Sequence, residues 1–445
     1  MRILFIIMSV GLAMGLGLAA GAPAARAATT PPCTLYVSPA GTDSSPGTQQ
    51  SDPTSLDTIR SKVVPGSNVC LLAGRYALSS TFYVTQSGET GSPIVYRAYG
   101  GTANLTWTGP SPAAGTSNAM IQVGNNTHDV GFVGLTLDGK DVVSTGYKCD
   151  SGASRLFVRL NTISNTGSGG IITRRCDYYA LVRNKIFHTG YDPNVGWSSG
   201  ISMNRNIWSD HFKGFHDFVV GNIISGATDD RRHTEGHGII VDRGYNGPAV
   251  LVADNLVYEN GGRCLDAYQS SHVWFVNNTC FRNTLDLQHP TRLSEITAKG
   301  VNNTDIHIVD NVAVAWRHRR PYGVDDDVTA YLARDVAWGG SPSAVPAAVA
   351  DNPLLLRKVR PEFVNPPVVD PIADQQQRTA IPPWLIGSDL IPHLGSPLIN
   401  NGIDPRKVAG VTDALKVGMN QYVVRDIQGV RRPVGGTWDI GAYER

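Results

Sequence analysis

Charge is scarce in this chain. Charged residues make up only 17% of its 445 residues, and 38 Lys plus Arg nearly cancel 37 Asp plus Glu to a formal net charge of +1. That balance leaves no bulk basic field with which to hold nucleic acid, so no nucleic-acid partner is expected. Helical periodicity is nearly absent between about residues 119 and 316, which argues against a helical bundle and against an α/β alternation. None of the six cysteines stands in a CxxC pair, so structural zinc has no spacing to support it. Beyond the N-terminus no apolar run is long enough to span a bilayer, and the glycine-rich stretches lack the strand-to-helix context of a nucleotide loop.

The N-terminus itself is apolar from Ile3 to about Gly21 and then reads "APAARA". This is the pattern of a secretory signal peptide over residues 1–27, with Ala25 and Ala27 preceding the cut, and it predicts a secreted or periplasmic protein. An even number of cysteines in an exported chain is read as disulfides. Cys33 and Cys70 lie in two strand-like runs, "CTLYVS" and "NVCLLAG", and are expected to pair. The pairing of Cys149, Cys176, Cys264 and Cys280 stays open. Glycine, at 48 residues, and the low charge suit a β-rich chain with many turns.

A repeat organises the middle of the chain. Short apolar runs align on one asparagine, as in "FVRLNTI", "ALVRNKI", "FVVGNII", "LVADNLV", "WFVNNTC" and "HIVDNVA", giving Asn161, Asn184, Asn222, Asn255, Asn278 and Asn311. Their spacing runs from 23 to 38 residues, as expected for coils of short strands with loops inserted at one turn. Stacked Asn amides could hydrogen-bond along the axis and satisfy a buried turn.

A second run precedes each asparagine: "GIITRR", "GISMNR", "GIIVDR", "CLDAYQ" and "EITAKG". Aligned by column, Ile171, Ile201, Ile239, Leu265 and Ile296 should fill the interior, with Thr173, Met203, Val241, Ala267 and Ala298 beside them. The columns between must face out. One holds Ile172, Ser202, Ile240, Asp266 and Thr297; the other holds Arg174, Asn204, Asp242, Tyr268 and Lys299. Two long insertions, "YDPNVGWSS" and "GATDDRRHTEGH", flank this face and could wall an elongated groove suited to a polymer.

These coils, with "LYVSPAGTDSSPGT" and "PGSNVCLLAGRY" near the start and "GSPLINNGIDP", "RDIQGVRRP" and "DIGAYE" near the end, resemble secreted right-handed parallel β-helix proteins of the pectate-lyase-like superfamily. The resemblance implies an all-β solenoid. Residues 28–118 would form an N-terminal cap and first coils, with "DPTSLDTIRSKVVPG" as a short helix over an open end. Residues 119–316 would form the central coils, and 317–445 an irregular Pro-rich segment with a tail packed on the solenoid. A monomer is expected.

The order Asp242, Asp266, Lys299 is similar to the family 9 polysaccharide lyases, in which coil aspartates bind calcium and a lysine is the base. The resemblance thus implies β-elimination on a uronate-containing, anionic polysaccharide, with Lys299, Asp242 and Asp266 catalytic and calcium held by Asp242 and Asp266. Arg174, Asn204, Tyr268, Arg243, Arg263 and His237 would bind substrate or support the acids. The same residues also admit an inverting glycoside hydrolase. Two residues along a strand and one strand across place Asp242 and Asp266 about 8 Å apart, with room for a water. A third reading is a glycan-binding solenoid without turnover. The alternating His233, Glu235 and His237 are expected to be solvated or turn-bonded rather than metal ligands.

Overall fold

The dyad alternation of the repeat becomes three parallel sheets wound in coils. A computed structural model describes residues 31–289, 293–346, 356–357, 359–366 and 390–445. The signal peptide read at residues 1–27 lies outside the described residues, as does much of the Pro-rich segment. One sheet has nine strands, from Phe82–Val84 to Arg320–Val324, every neighbouring pair parallel. The other two sheets are joined because the long strand Ile94–Trp107 pairs with His128–Val133 through its first part and with Thr136–Asp138 through its last. A single coil illustrates the plan: Leu265–Tyr268, then Val273–Val276, then Thr279–Phe281, before the chain returns to Ser294–Lys299. The protein is a right-handed parallel β-helix.

The interior columns are those read from sequence. Ile171 pairs with Ile201, Ile201 with Ile239, Ile239 with Leu265 and Leu265 with Ile296, and none is more than 2% exposed. Strands buried on both faces need every backbone group paired within the coil stack, and the parallel ladders supply that.

The corner between the second and third sheets is built by a left-handed residue followed by asparagine. Leu160, Arg183, Asp254, Asn277 and Asp310 all have φ between 52° and 59°, and Gly221 has φ 67°. The following Asn of each coil then accepts, through Oδ1, the backbone N–H and the amide N–H of the Asn one coil earlier. Asn222 donates to Asn255 at 2.9 and 2.9 Å, Asn255 to Asn278 at 3.0 and 2.9 Å, and Asn278 to Asn311 at 3.0 and 2.9 Å. The series ends on a carboxyl, Asp335, which accepts from Asn311 at 2.8 and 3.0 Å. A shorter ladder of the same kind runs from Asn260 to Asn283 and ends on Glu295.

The coils extend past the boundary expected at residue 316. Arg320–Val324 pairs with Ser294–Lys299, Ala330–Ala333 with Ile306–Val309, and Val336–Trp338 with Val312–Val314. These strands are only three to five residues long, and much of the Pro-rich text that suggested irregularity lies outside the described residues. The helix expected in "DPTSLDTIRSKVVPG" is a single 3-10 turn, Ile59–Ser61. Ile59 and Val63 are buried in the core formed with Val37 and Val69, so that segment follows the demands of packing rather than of helical periodicity.

The tail closes on the solenoid, and its two sequence motifs do so together. Arg432, fully buried, donates to Asp254 at 2.8 Å and to Glu444 of "DIGAYE" at 2.9 Å. Asn277 donates to the Asp439 carbonyl at 3.0 Å, and the helix Asp413–Tyr422 packs Leu415 and Met419 against Phe215, Leu251 and Trp274. Three disulfides, Cys33–Cys70, Cys149–Cys176 and Cys264–Cys280, staple the coils. Among the described residues no helix is long and apolar enough to cross a membrane.

Candidate functional site

The candidate site lies on the outward face of the nine-stranded sheet, where Ser199–Asn204, His237–Asp242, Leu265–Tyr268 and Ser294–Lys299 run side by side. Register places Asp242 between Asn204 and Tyr268, and Tyr268 beside Lys299. Asp266 sits between Ile240 and Thr297, diagonal to Asp242. Each outer-column residue is followed by a left-handed one (Arg175, Arg205, Arg243, Gln269 or Gly300), so the strand turns sharply beyond it. The column therefore stands at a sheet edge.

Asp242 is partly buried. Its Oδ2 accepts a hydrogen bond from the Asn204 amide, and Arg243 Nε lies 3.9 Å from Oδ1. Burial pushes its carboxyl above the usual range, against the pull of Asn204 and Arg243. Asp266 faces outward by register yet is only 1% exposed, because neighbouring side chains cover it. Arg263 Nη1 lies 3.3 Å and His237 Nε2 3.5 Å from its Oδ2, and Oδ1 has no hydrogen-bond partner. Burial pushes this carboxyl up too, opposed by Arg263 and Lys299.

His237 accepts the Arg263 backbone N–H at Nδ1, 2.8 Å, which leaves its proton on Nε2 toward Asp266. Burial, reinforced by Arg263 and Lys299, holds this imidazole neutral. His237, Arg263 and Asp266 thus form a sealed polar layer beneath the face. Sequence places His237 and Arg263 among the substrate-binding residues; the structure buries both, at 1% and 3% exposed, where a substrate on the surface does not reach them. Lys299, at the end of its strand, is half-buried. Its Nζ is 5.4 Å from the centre of the Tyr268 ring, and burial lowers its pKa, with Arg263 adding to the shift and Asp266 opposing it.

Arg174 lies farther away, at the edge of a coil two before that of Asp242. It is exposed, 3.7 Å from Asp150, and is not brought to the acids.

Three further residues belong to this cluster, among them Glu235, which sequence places as solvated or turn-bonded. Glu235 stands just before its strand, its Oε2 accepting from Ser199 Oγ at 3.4 Å. Burial, with the negative charges of Asp242, Asp229 and Asp266, pushes its carboxyl up to about 8. Asp229 shapes the loop that presents it, its Oδ2 accepting from Thr234 N, Thr234 Oγ1 and Glu235 N at 3.2–3.3 Å. His289 donates to the Thr234 carbonyl at 2.8 Å, and burial pushes it down to about 4. The H-x-E-x-H alternation was the one sequence signal for Glu235. His233 of that set instead pairs with Asp286 at 3.0 Å.

The donors fit calcium poorly. The ion takes six to eight oxygens, whereas one Asp266 oxygen faces a guanidinium and an imidazole and one Asp242 oxygen is taken by Asn204. Among the described residues no group of three or more His, Cys, Asp or Glu side chains is placed to hold a metal.

No family model matches the chain. Over 111 residues, 25% of the chain, it is 33% identical to an uncharacterized protein, YwoF, of Bacillus subtilis (strain 168), a match that spans only 23% of that protein's length. Two solved structures share the fold more fully. The crystal structure of pectate lyase Pel9A aligns over 92% of this chain and 96% of its own, with TM-score 0.55 and 16% identity. A glycoside hydrolase aligns over 70% of this chain and 94% of its own, with TM-score 0.53 and 8% identity. At these identities the likeness is one of fold.

Proposed function

We propose that the chain is a secreted carbohydrate-active enzyme, a polysaccharide lyase that cleaves a uronate-containing polymer by β-elimination. The observation that carries this reading is Lys299, a half-buried amine at the end of its strand whose pKa is lowered by burial and Arg263. A base of that kind is what abstraction of the weakly acidic proton beside a carboxylate requires. Lys299 takes that proton, and the electron pair forms a double bond to the neighbouring carbon. The bond from that carbon to the glycosidic oxygen breaks, and Glu235, protonated below about pH 8, returns a proton to the leaving oxygen. Neutralising the substrate carboxylate falls to exposed guanidinium groups such as Arg243, beside Asp242.

Hydrolysis is the second reading, favoured by one observation: the charge of Asp242 helps raise the pKa of Glu235, and a carboxyl held protonated alongside a second carboxyl is the pair that inverting hydrolysis uses. Purified protein incubated with pectate, alginate, glycosaminoglycans and neutral glycans separates the two. A lyase product absorbs near the ultraviolet edge through its new double bond; a hydrolase releases reducing ends without it. Absence of both products overturns the enzymatic reading. A chelator should leave turnover unchanged, and loss of turnover restored by calcium would return Asp242 and Asp266 to the role of ligands.

A further inference from the structure

The loop insertions before the site strands carry a feature that neither the core nor the chemistry above uses. Ser199 pairs with His237, and Gly236 N donates to Ser198 O at 2.7 Å, so Trp197 stands opposite Glu235 on the adjacent coil. Trp197 is 60% exposed and has φ 60°. Large aromatics are normally buried, so an indole this open to solvent calls for a reason.

The indole is also held from behind. The Arg232 guanidinium carbon lies 3.8 Å from its ring centre, and a Cβ at the neighbouring Gly196 would come within 2.6 Å of Arg232 Cδ. Glycine there lets the arginine lie flat on one face. Arg231 Nη1 donates to the Asn194 carbonyl, fastening the two loops together. One indole face is therefore backed by a cation and the ring is left largely open to solvent, one coil away from Glu235.

A broad, apolar, electron-rich face suits the C–H face of a pyranose ring, and the positive charge of a guanidinium stacked on the opposite face favours a sugar that carries a carboxylate. We propose that Trp197 and Arg232 form a glycan-binding subsite beside the site strands, Trp197 stacking its open face on a sugar ring and Arg232, behind the indole, favouring an acidic sugar through its charge. The ligand class, an acidic polysaccharide, rests on the function proposed above; the subsite itself is tested by binding, without turnover.

The test is retardation of the full-length protein in native gels cast with polygalacturonate, alginate or neutral galactan. Trp197→Ala should raise the dissociation constant for polygalacturonate or alginate roughly tenfold, and Trp197→Phe should recover most of it. Arg232→Gln should weaken binding to the acidic polymers and leave any binding to galactan unchanged. Because both side chains are exposed, the melting temperature should match that of the parent. A change of less than about twofold on every polymer for Trp197→Ala overturns the subsite, as does a parent protein that none of the three retards. Retardation without turnover would instead overturn the proposed enzyme while leaving the subsite in place.

Discussion

Replacing Asn278 with alanine should cost more stability than any surface change, and its size can be worked from the corner it occupies. The residue is fully buried. Its Oδ1 accepts from Asn255 N at 3.0 Å and Asn255 Nδ2 at 2.9 Å, and its Nδ2 donates to Val252 O and Asn311 Oδ1, each at 2.9 Å. Truncation leaves Asn311 Oδ1 still bonded to the backbone N–H of residue 278, and Asn255 Nδ2 still bonded to Val219 O. Two donors lose their acceptor: the Asn255 backbone N–H and one of its amide protons. At about 1–3 kcal/mol for each buried donor left unpaired, the loss is roughly 2–6 kcal/mol. Domains are commonly stable by only about 5–15 kcal/mol. Urea unfolding followed by tryptophan fluorescence measures this directly, with exposed Asn246→Ala as a control expected within about 0.5 kcal/mol of the parent. Asn278→Asp, which keeps the acceptor, should fall between the two. A loss below about 1 kcal/mol for Asn278→Ala would refute the sealed ladder, since water would then be satisfying the corner.

Four further outcomes are expected. Glu295, fully buried and raised by burial from 4.5 to about 8, favours the folded state when protonated. Its contribution is full below about pH 4.5 and is lost as pH rises toward about 8, by up to about 1.4 kcal/mol per pH unit, so Glu295→Gln should flatten the stability-versus-pH curve in that window. Lys299→Ala should abolish turnover on the polymer that the parent cleaves; in the parent the rate should rise with pH through a midpoint below the ordinary lysine value of 10.5. Glu235→Gln should lower that rate roughly a hundredfold or more and remove an alkaline limb near pH 8 from the pH–rate profile. Arg432→Leu should destabilise the fold by about 3–5 kcal/mol in thermal or denaturant unfolding, because Asp254 and Glu444 would be left as buried charges without their cation.

Much of the fold was legible because a solenoid writes its contacts into a period. Alternation assigned the faces, and recurrence of Ile171, Ile201, Ile239, Leu265 and Ile296 assigned the register, since a slip of one residue would have turned the interior outward. The turn asparagines were legible for the same reason. Short strands past residue 316 were hidden because three or four residues leave too little alternation to read. The segment around Ile59 misled because its helical pattern is overridden by burial against Val37 and Val69.

The site was legible only as columns. Sequence alone determined that Asn204, Asp242, Tyr268 and Lys299 share one face and that Asp266 lies diagonal to Asp242, because strand period and coil spacing leave no other arrangement. Tertiary structure alone decided which of them meets solvent. Asp266, Arg263 and His237 are buried, whereas Lys299 is half-buried at the end of its strand, and Glu235 and Trp197 are delivered by loops that carry no period. Exposure and pKa depend on what packs from other coils, and that information is distributed over the whole chain rather than written at any one position.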